Sequence, residues 1–373
     1  MTDKKNTKKD TKDEELHKDL LKEQMTQEDD SLADQGNFAL VGQQDSSTQE
    51  QIAKPSLTFT QDAWRRLKQN KLAVISLWFL AFLMIFALIS TVIVPQSKSN
   101  YFNSDKVGTY KNLPPKTGLP IPGLDGTVKE PGSSTRVDVY EKQGVPAGKK
   151  FFMGTDELGR SLGERVIVGI RISLLVAISA TIIDLLIGVT YGLFSGWKGG
   201  KIDTFMQRII EIISSIPNLV IVTMLGLLLG NGIISIVLSI AMTGWVGMAR
   251  QVRNMTLSYK ERDFVLAAKS LGETGPHIAL KHILPNISGT IIVQVMMTIP
   301  SAIMYEAVLS AINLGVKPPT ASLGSLISDA QSKLQFYPYQ VLVPSLALVL
   351  ISLSFIMVGD GLRDAFDPKS SQD

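Results

Sequence analysis

The 373-residue chain contains no cysteine. That excludes a disulfide framework, thiolate-bound zinc, iron–sulfur clusters and a thiol nucleophile. Histidine is nearly absent, with only His17, His277 and His282, and none sits in an HExxH zinc pattern. No GxxxxGK[ST] phosphate loop occurs. Gly144–Lys150 (GVPAGKK) and Gly196–Lys201 (GWKGGK) come nearest and lack its spacing, so the chain is not expected to hydrolyse a nucleotide. The first fifty residues hold no long apolar run and do not read as a secretory signal. Charge is unevenly placed. Residues 1–60 carry 8 lysines, no arginine and 13 acidic residues, whereas the rest of the chain is net basic.

Charge is missing altogether from several stretches. Leu72–Val94 is 23 consecutive uncharged residues, about 34 Å as a helix and enough to cross a bilayer core. Ile287–Tyr305 and Val341–Gly359 are similar, and Ile172–Phe194 is interrupted only by Asp184. The 38-residue uncharged run Ile212–Ala249 is too long for one crossing, and Gly230-Asn231-Gly232 supplies turn chemistry to divide it into Ile212–Gly230 and Gly232–Ala249. These stretches predict an all-α polytopic membrane protein with six transmembrane helices.

Orientation follows from lysine and arginine near the span ends. Arg65, Arg66, Lys68 and Lys71 precede the first span, and Lys198, Lys201 and Arg208 follow the second. Residues 250–286 hold Arg250, Arg253, Lys260, Arg262, Lys269 and Lys281. All three segments are assigned to the cytoplasm, with both termini there. Alternation of the spans puts most of the basic 95–171 segment outside, and its charge does not count against this because it exceeds the roughly 60 residues over which the rule operates. Both neighbouring histidines are then cytoplasmic and no Ser–His–Asp set can assemble outside.

The expected organisation is a disordered acidic cytoplasmic tail over 1–57, a juxtamembrane helix and first span over 58–94, and an extracytoplasmic loop over 95–163. A five-span core follows over 164–361, then a cytoplasmic C-terminus over 362–373. The tail is polar with few aromatics and cannot offset its ordering entropy. Leu113–Gly132 is punctuated by proline and glycine and reads as loop.

The 250–286 segment is the informative one. Phe264, Ala267, Ala268 and Leu271 fall at i, i+3, i+4 and i+7, giving a short amphipathic helix outside the bilayer. Gly272 suits the position past its C-terminus, Pro276 the start of a second short helix, and Pro285 a break before the fifth span. Two readings fit this spacing: a knob for another protein's groove, or a helix pair resting on lipid. Within the spans, Asp184 must face protein or water. Glu306, near the outer end of the fifth span, reads as a substrate contact or an interfacial group. Gly188, Gly192 and Gly196 form a small-residue face for close packing, most simply within the chain. Pro217 and Pro300 are expected to kink their helices.

The string LAAKSLGETGPHIALKHILPN, Leu266–Asn286, resembles the coupling-loop signature of ABC importer permeases. Ala267, Ala268, Gly272, Leu284 and Pro285 match, while Leu266 stands where that family usually has an acidic residue. Met153–Arg160, Gly169–Ala177, Gly192–Pro217, Glu306–Gly324 and Gly359–Pro368 are similar to the C-type subunit of oligopeptide, dipeptide and nickel importers. The resemblance implies a type I importer fold and a non-catalytic subunit that binds no cofactor itself. It implies half of a translocation pathway in a bacterial plasma membrane. A second homologous six-span permease would complete it, two cytoplasmic ATPases using ATP and magnesium would drive it, and an extracytoplasmic peptide-binding protein would supply it. Phe264, Leu266, Ala267, Ala268, Leu271, Gly272, Leu284, Pro285 and Asn286 would form the ATPase-coupling loop, with Asp184 and Glu306 as pathway candidates. No nucleic-acid partner is expected. The alternatives are a permease for nickel or another small solute, and a stand-alone secondary transporter, which would need inverted repeats and no ATP.

Overall fold

The computed structural model describes residues 59–101, 104, 107–119, 121–129, 135–230 and 232–367. The acidic tail, Asn231 of the expected turn and residues 368–373 lie outside the described residues. Helix α1 (Phe59–Leu67) leads into α2 (Lys71–Ile93). Asn70 caps α2 by accepting the Ala73 amide at 3.2 Å, satisfying one of the orphan donors of the first turn. Along α2, Ile75, Trp78, Phe82, Leu88 and Val92 are exposed, a surface suited to lipid rather than water. Its other face packs on the last helix.

Residues 95–161 form a small cap. Strands β1 (Thr127–Lys129) and β2 (Arg136–Asp138) pair antiparallel with Thr127 opposite Asp138. Thus part of the stretch expected to be loop is a strand. Lys116 Nζ meets Asp138 Oδ2 at 2.6 Å, and the buried Tyr140 hydroxyl donates to the Pro114 carbonyl at 2.8 Å.

Helix α3 (Leu162–Lys198) runs 37 residues, well beyond the expected Ile172–Phe194. Ser161 caps it by accepting the Glu164 amide. Its glycine stripe lies in the chain's own core: a Cβ at Gly188 would meet Met248, one at Gly192 the Ala249 carbonyl oxygen, and one at Gly196 Thr256. The missing side chains let α3 approach α6 (Ile233–Lys260) backbone to backbone.

The expected span Ile212–Gly230 is replaced by two helices, α4 (Gly200–Ser215) and α5 (Asn218–Leu229), bent by 82°. The reason is Ile216–Pro217. Proline has no amide to continue the ladder, and its ring drives Ile216 to an extended ψ of 130°. Among the described residues, five helices are long and apolar enough to cross a membrane, and six if the bent pair is one crossing. After α5, Gly230 takes φ +78°, ending that helix before α6 begins.

Beyond α6 come two short helices, α7 (Asp263–Ser270) and α8 (Gly275–Ile278). Pro285 does not break the chain there. A π-helical turn, Ala279–Ile283, carries α8 directly into α9 (Leu284–Ala311), with the Leu284 amide bonded to the Ala279 carbonyl five residues back. The wide turn and a place in the first turn of α9 accommodate the missing amide of Pro285. Helices α10 (Leu323–Gln331) and α11 (Pro338–Phe366) complete the fold, the last running through the boundary expected at residue 361.

The core draws on α2, α3, α6, α9, α10 and α11, with Val168, Val176, Ile303, Leu309, Leu323 and Ile351 buried at its centre. Gln340, at the start of α11, ties the cap down by donating to Asn112 Oδ1 and the Thr155 carbonyl, both at 2.9 Å. Lys260 Nζ reaches the Trp197 carbonyl at 2.5 Å, so α6 ends beside the end of α3. The 250–286 segment therefore lies at the opposite end of the bundle from the cap.

Candidate functional site

Four polar constellations stand out in this apolar bundle. Glu306, expected as a pathway or interfacial group, is instead fully buried. Its Oε1 accepts from Ser322 at 2.6 Å and Ser310 at 2.9 Å, and its Oε2 from Ser173 at 3.1 Å. Ser173 Oγ in turn accepts the Leu323 amide at 3.1 Å. The carboxylate thus joins α3, α9 and α10. With both oxygens committed to the fold, it has nothing left for a substrate.

Asp184, on α3, is 1% exposed and neither carboxylate oxygen has a hydrogen-bond partner. On insertion scales a lone acidic residue mid-span costs roughly 2.5–3.5 kcal/mol. Its neighbour is Gly244, where any Cβ would fall on the carboxylate itself. Asp184 borders an open-sided cavity of about 490 Å³ lined by α3, the α4–α5 bend, α6 and α9. Asn218, the first residue after the bend, spans its wall. Its side chain donates to the Tyr305 hydroxyl at 3.0 Å and accepts from Thr243. The proline bend is therefore pinned to α6 and α9.

A third constellation was not foreseen. Asp203 of α4 holds Arg253 of α6 in a two-pronged pair, Nε to Oδ1 at 2.6 Å and Nη2 to Oδ2 at 2.5 Å. Ser195 at the end of α3 adds a 2.5 Å bond to Oδ1. The pairing is of the bidentate kind that fixes geometry as well as charge.

The fourth is the α7–α8 pair. Gly272 adopts φ +80°, and the Gly272 and Glu273 amides close on the Lys269 and Ala268 carbonyls at 3.0 and 3.1 Å. That is a glycine-terminated helix end. Val265 and Ala268 are buried with Ile278, Ile283, Ile287 and, from α6, Met248 and Val252. Phe264, Leu266, Ala267 and Leu271 are exposed. The face expected to hold Phe264, Ala267, Ala268 and Leu271 together is therefore split. Ala268 joins β-branched Val265 inward, because three residues of helix place them on one side. Leu284 is half-buried, whereas Pro285 and Asn286 are exposed; Asn286 donates to the His282 carbonyl at 2.6 Å. Lys260 and Lys269 stand 5.6 and 5.2 Å from the Trp197 ring centre, close enough for cation–π attraction. They hold the pair against the end of α3.

With this geometry in hand, likenesses to known proteins can be placed on it. Residues 188–372, from the glycine stripe through α11, match the model of the binding-protein-dependent transport system inner membrane component. Residues 58–115 match the N-terminal TM domain of oligopeptide transport permease C. The dipeptide transport system permease protein DppC of Lactococcus lactis subsp. cremoris is 60% identical over 337 residues, which is 90% of this chain and 98% of that protein. The chain belongs to this family of inner membrane transport components, as a C-type permease subunit. The oligopeptide transport system permease protein OppC of Bacillus subtilis is 35% identical to the permease over 322 residues, 86% of this chain and 93% of that one. Among solved structures, an inward-facing crystal form of the MetNI methionine ABC transporter shares 18% identity with a TM-score of 0.46. It covers 54% of this chain and 96% of that one. The permease's matches to the two family models leave out residues 116–187, which include β1, β2 and Asp184.

Proposed function

We propose that this permease forms half of the translocation pathway of an ATP-driven importer for dipeptides or oligopeptides. The observation that carries the reading is 60% identity to a dipeptide permease over 98% of that protein. A second homologous six-span permease completes the pathway, and two cytoplasmic ABC ATPases hydrolyse ATP. An extracytoplasmic peptide-binding protein delivers substrate. Both termini and residues 250–286 lie in the cytoplasm, by the lysine and arginine placement at the span ends. The cap at 95–161 lies outside and meets the binding protein.

In this reading α7 and α8 are the lever. Phe264, Leu266, Ala267 and Leu271 insert in a groove of the ATPase, while Val265 and Ala268 lock the helix to Ile278, Ile283 and α6. Gly272 sets the turn between the short helices, and Leu284, Pro285 and Asn286 join them to α9. Closure of the ATPase dimer moves α7, and the rigid π-turn connection passes that motion into α9, which lines the cavity beside Asp184. Coupling requires that the loop contact the ATPase differently in the two states. A hinge must also absorb the change, and the Ile216–Pro217 bend, held by Asn218, is placed to do so.

The test is reconstitution of the complex in proteoliposomes with the binding protein outside. Peptide uptake that needs ATP within the lumen supports the reading; uptake by this chain alone without ATP overturns it.

A further inference from the structure

The cavity beside Asp184 carries three polar groups whose partners are incomplete. The Asp184 carboxylate is buried at its wall with no donor to either oxygen. The side-chain amide of Gln294, on α9, also lines it and makes no hydrogen bond to a described residue. Arg250, an exposed residue of α6 directly after the uncharged run that ends at Ala249, lies at another part of the lining. Its Nη2 donates to the neutral Ser214 hydroxyl at 2.9 Å, and no carboxylate among the described residues is within ion-pair range. One carboxyl group, one amide and one cation thus border the same space of about 490 Å³, within the range of small-ligand pockets.

Helix α6 sets the axial offset between the two ends of the site. Asp184 lies against Gly244, and Arg250 is six residues further on, about 9 Å of helix rise. Two to three residues of extended peptide span about 7–10 Å. A zwitterion of that length has an ammonium at one end, a carboxylate at the other and an amide between. Gly244 is the one feature that admits the carboxylate to the wall, since any side chain there would occupy its position.

We infer that this cavity is a transit site for a short zwitterionic peptide, with Asp184 taking the amino-terminal ammonium, Arg250 the terminal carboxylate and Gln294 the backbone between. The inference rests on the importer reading and adds to it the charged ends by which substrate is held between the middle of the membrane and its cytoplasmic edge. None of the three groups reads a side chain. Such a site carries peptides of many sequences and discriminates against those with a blocked terminus.

The test is photolabelling of the assembled importer in nanodiscs, without the binding protein, using three photoreactive dipeptides: zwitterionic, N-acetylated and C-amidated. The zwitterion is expected to label α9 between Gln294 and Tyr305 at least tenfold more than either capped form. Asp184→Asn should erase the preference over the N-acetylated probe and leave the preference over the amide; Arg250→Gln should do the converse. Asp184→Glu should restore the first preference. Equal labelling by all three probes, no label in α9, or preferences that survive both substitutions would overturn the inference. If the Asp184 variant does not assemble, the wild-type comparison and Arg250→Gln still decide it. Failure of the wild-type complex with binding protein and ATP to take up any peptide would instead sink the importer reading.

Discussion

Gly192→Ala adds one methyl group, and the structure specifies where it goes. The new Cβ would fall on the Ala249 carbonyl oxygen, 2.9 Å from the Val252 Cβ and 3.0 Å from the Arg253 amide nitrogen. Two of these three atoms are backbone of α6 and cannot rotate away, so the helices must separate. Overpacking of this kind costs about 1–3 kcal/mol. Alanine recovers up to about 1 kcal/mol over glycine in a helix, leaving a net loss of up to about 2 kcal/mol. The matched control is Gly247→Ala on α6, where an added Cβ would have no atom within 4 Å and the same propensity term acts unopposed. The propensity term cancels between the two variants, which should therefore differ by the overpacking cost, about 1–3 kcal/mol, roughly 5- to 150-fold in the unfolding equilibrium. Thermal unfolding followed by tryptophan fluorescence in one detergent reads the difference directly. Gly192→Ala is expected to melt below the wild type and Gly247→Ala at or above it. Melting of Gly192→Ala together with or above Gly247→Ala would refute a packing cost at this contact.

Glu306→Ala leaves three serine hydroxyls without their acceptor and should destabilise the bundle by about 3 kcal/mol; a melting temperature equal to that of the wild type would show that the clamp is dispensable. Asp203→Asn and Arg253→Gln should each weaken the α3–α4–α6 junction, and the double variant should lose less than the sum, as measured by a double-mutant cycle on the same melting assay. Leu271→Asp, at the exposed position just past the end of α7, should leave folding unchanged and reduce ATP-dependent uptake at least tenfold, whereas normal uptake would remove Leu271 from the ATPase contact. In the cap, burial pushes the Asp138 carboxyl up, but the Lys116 ammonium and the Tyr140 amide outweigh it and hold the group below the usual carboxylate range. A depressed folded value means that the stabilisation is present above about pH 4 and fades as pH falls through the folded value. Hydrogen exchange across the β1–β2 ladder should accelerate in that window in the wild type and not in Asp138→Asn.

Much of the bundle was legible because lipid demands long uncharged stretches, and Leu72–Val94 or Val341–Gly359 can be little else. The four-residue spacing of Gly188, Gly192 and Gly196 also announced a close helix contact, and α6 supplies it. What failed was geometry around proline. Pro217 and Pro285 look alike in sequence, yet one splits a span at 82° and the other is absorbed by a π turn. The difference lies in what surrounds each: the residues before Pro285 pack into the Ile278–Ile283 cluster, while Ile216 and Pro217 are exposed. Glu306 was misplaced because its partners Ser173 and Ser322 come from other helices and only folding brings them together. Asp203 and Arg253 were missed for the same reason, being 50 residues apart. The α7–α8 pair was recognised as a unit, but its inward face was misassigned by leaving out Val265, whose three-residue spacing to Ala268 marks the buried side.

The central claim is that residues 263–283 deliver ATPase motion to this permease. Because the chain has no cysteine, a single Ala267→Cys substitution provides a unique thiol for a benzophenone photocrosslinker. In the assembled importer, illumination should join this chain to an ATPase subunit, with a yield that changes on ATP binding. The same label at buried Ala268 should react poorly. Absence of any ATPase adduct from Ala267 in a complex that transports peptide, or equal reaction at Ala267 and Ala268, would contradict the account.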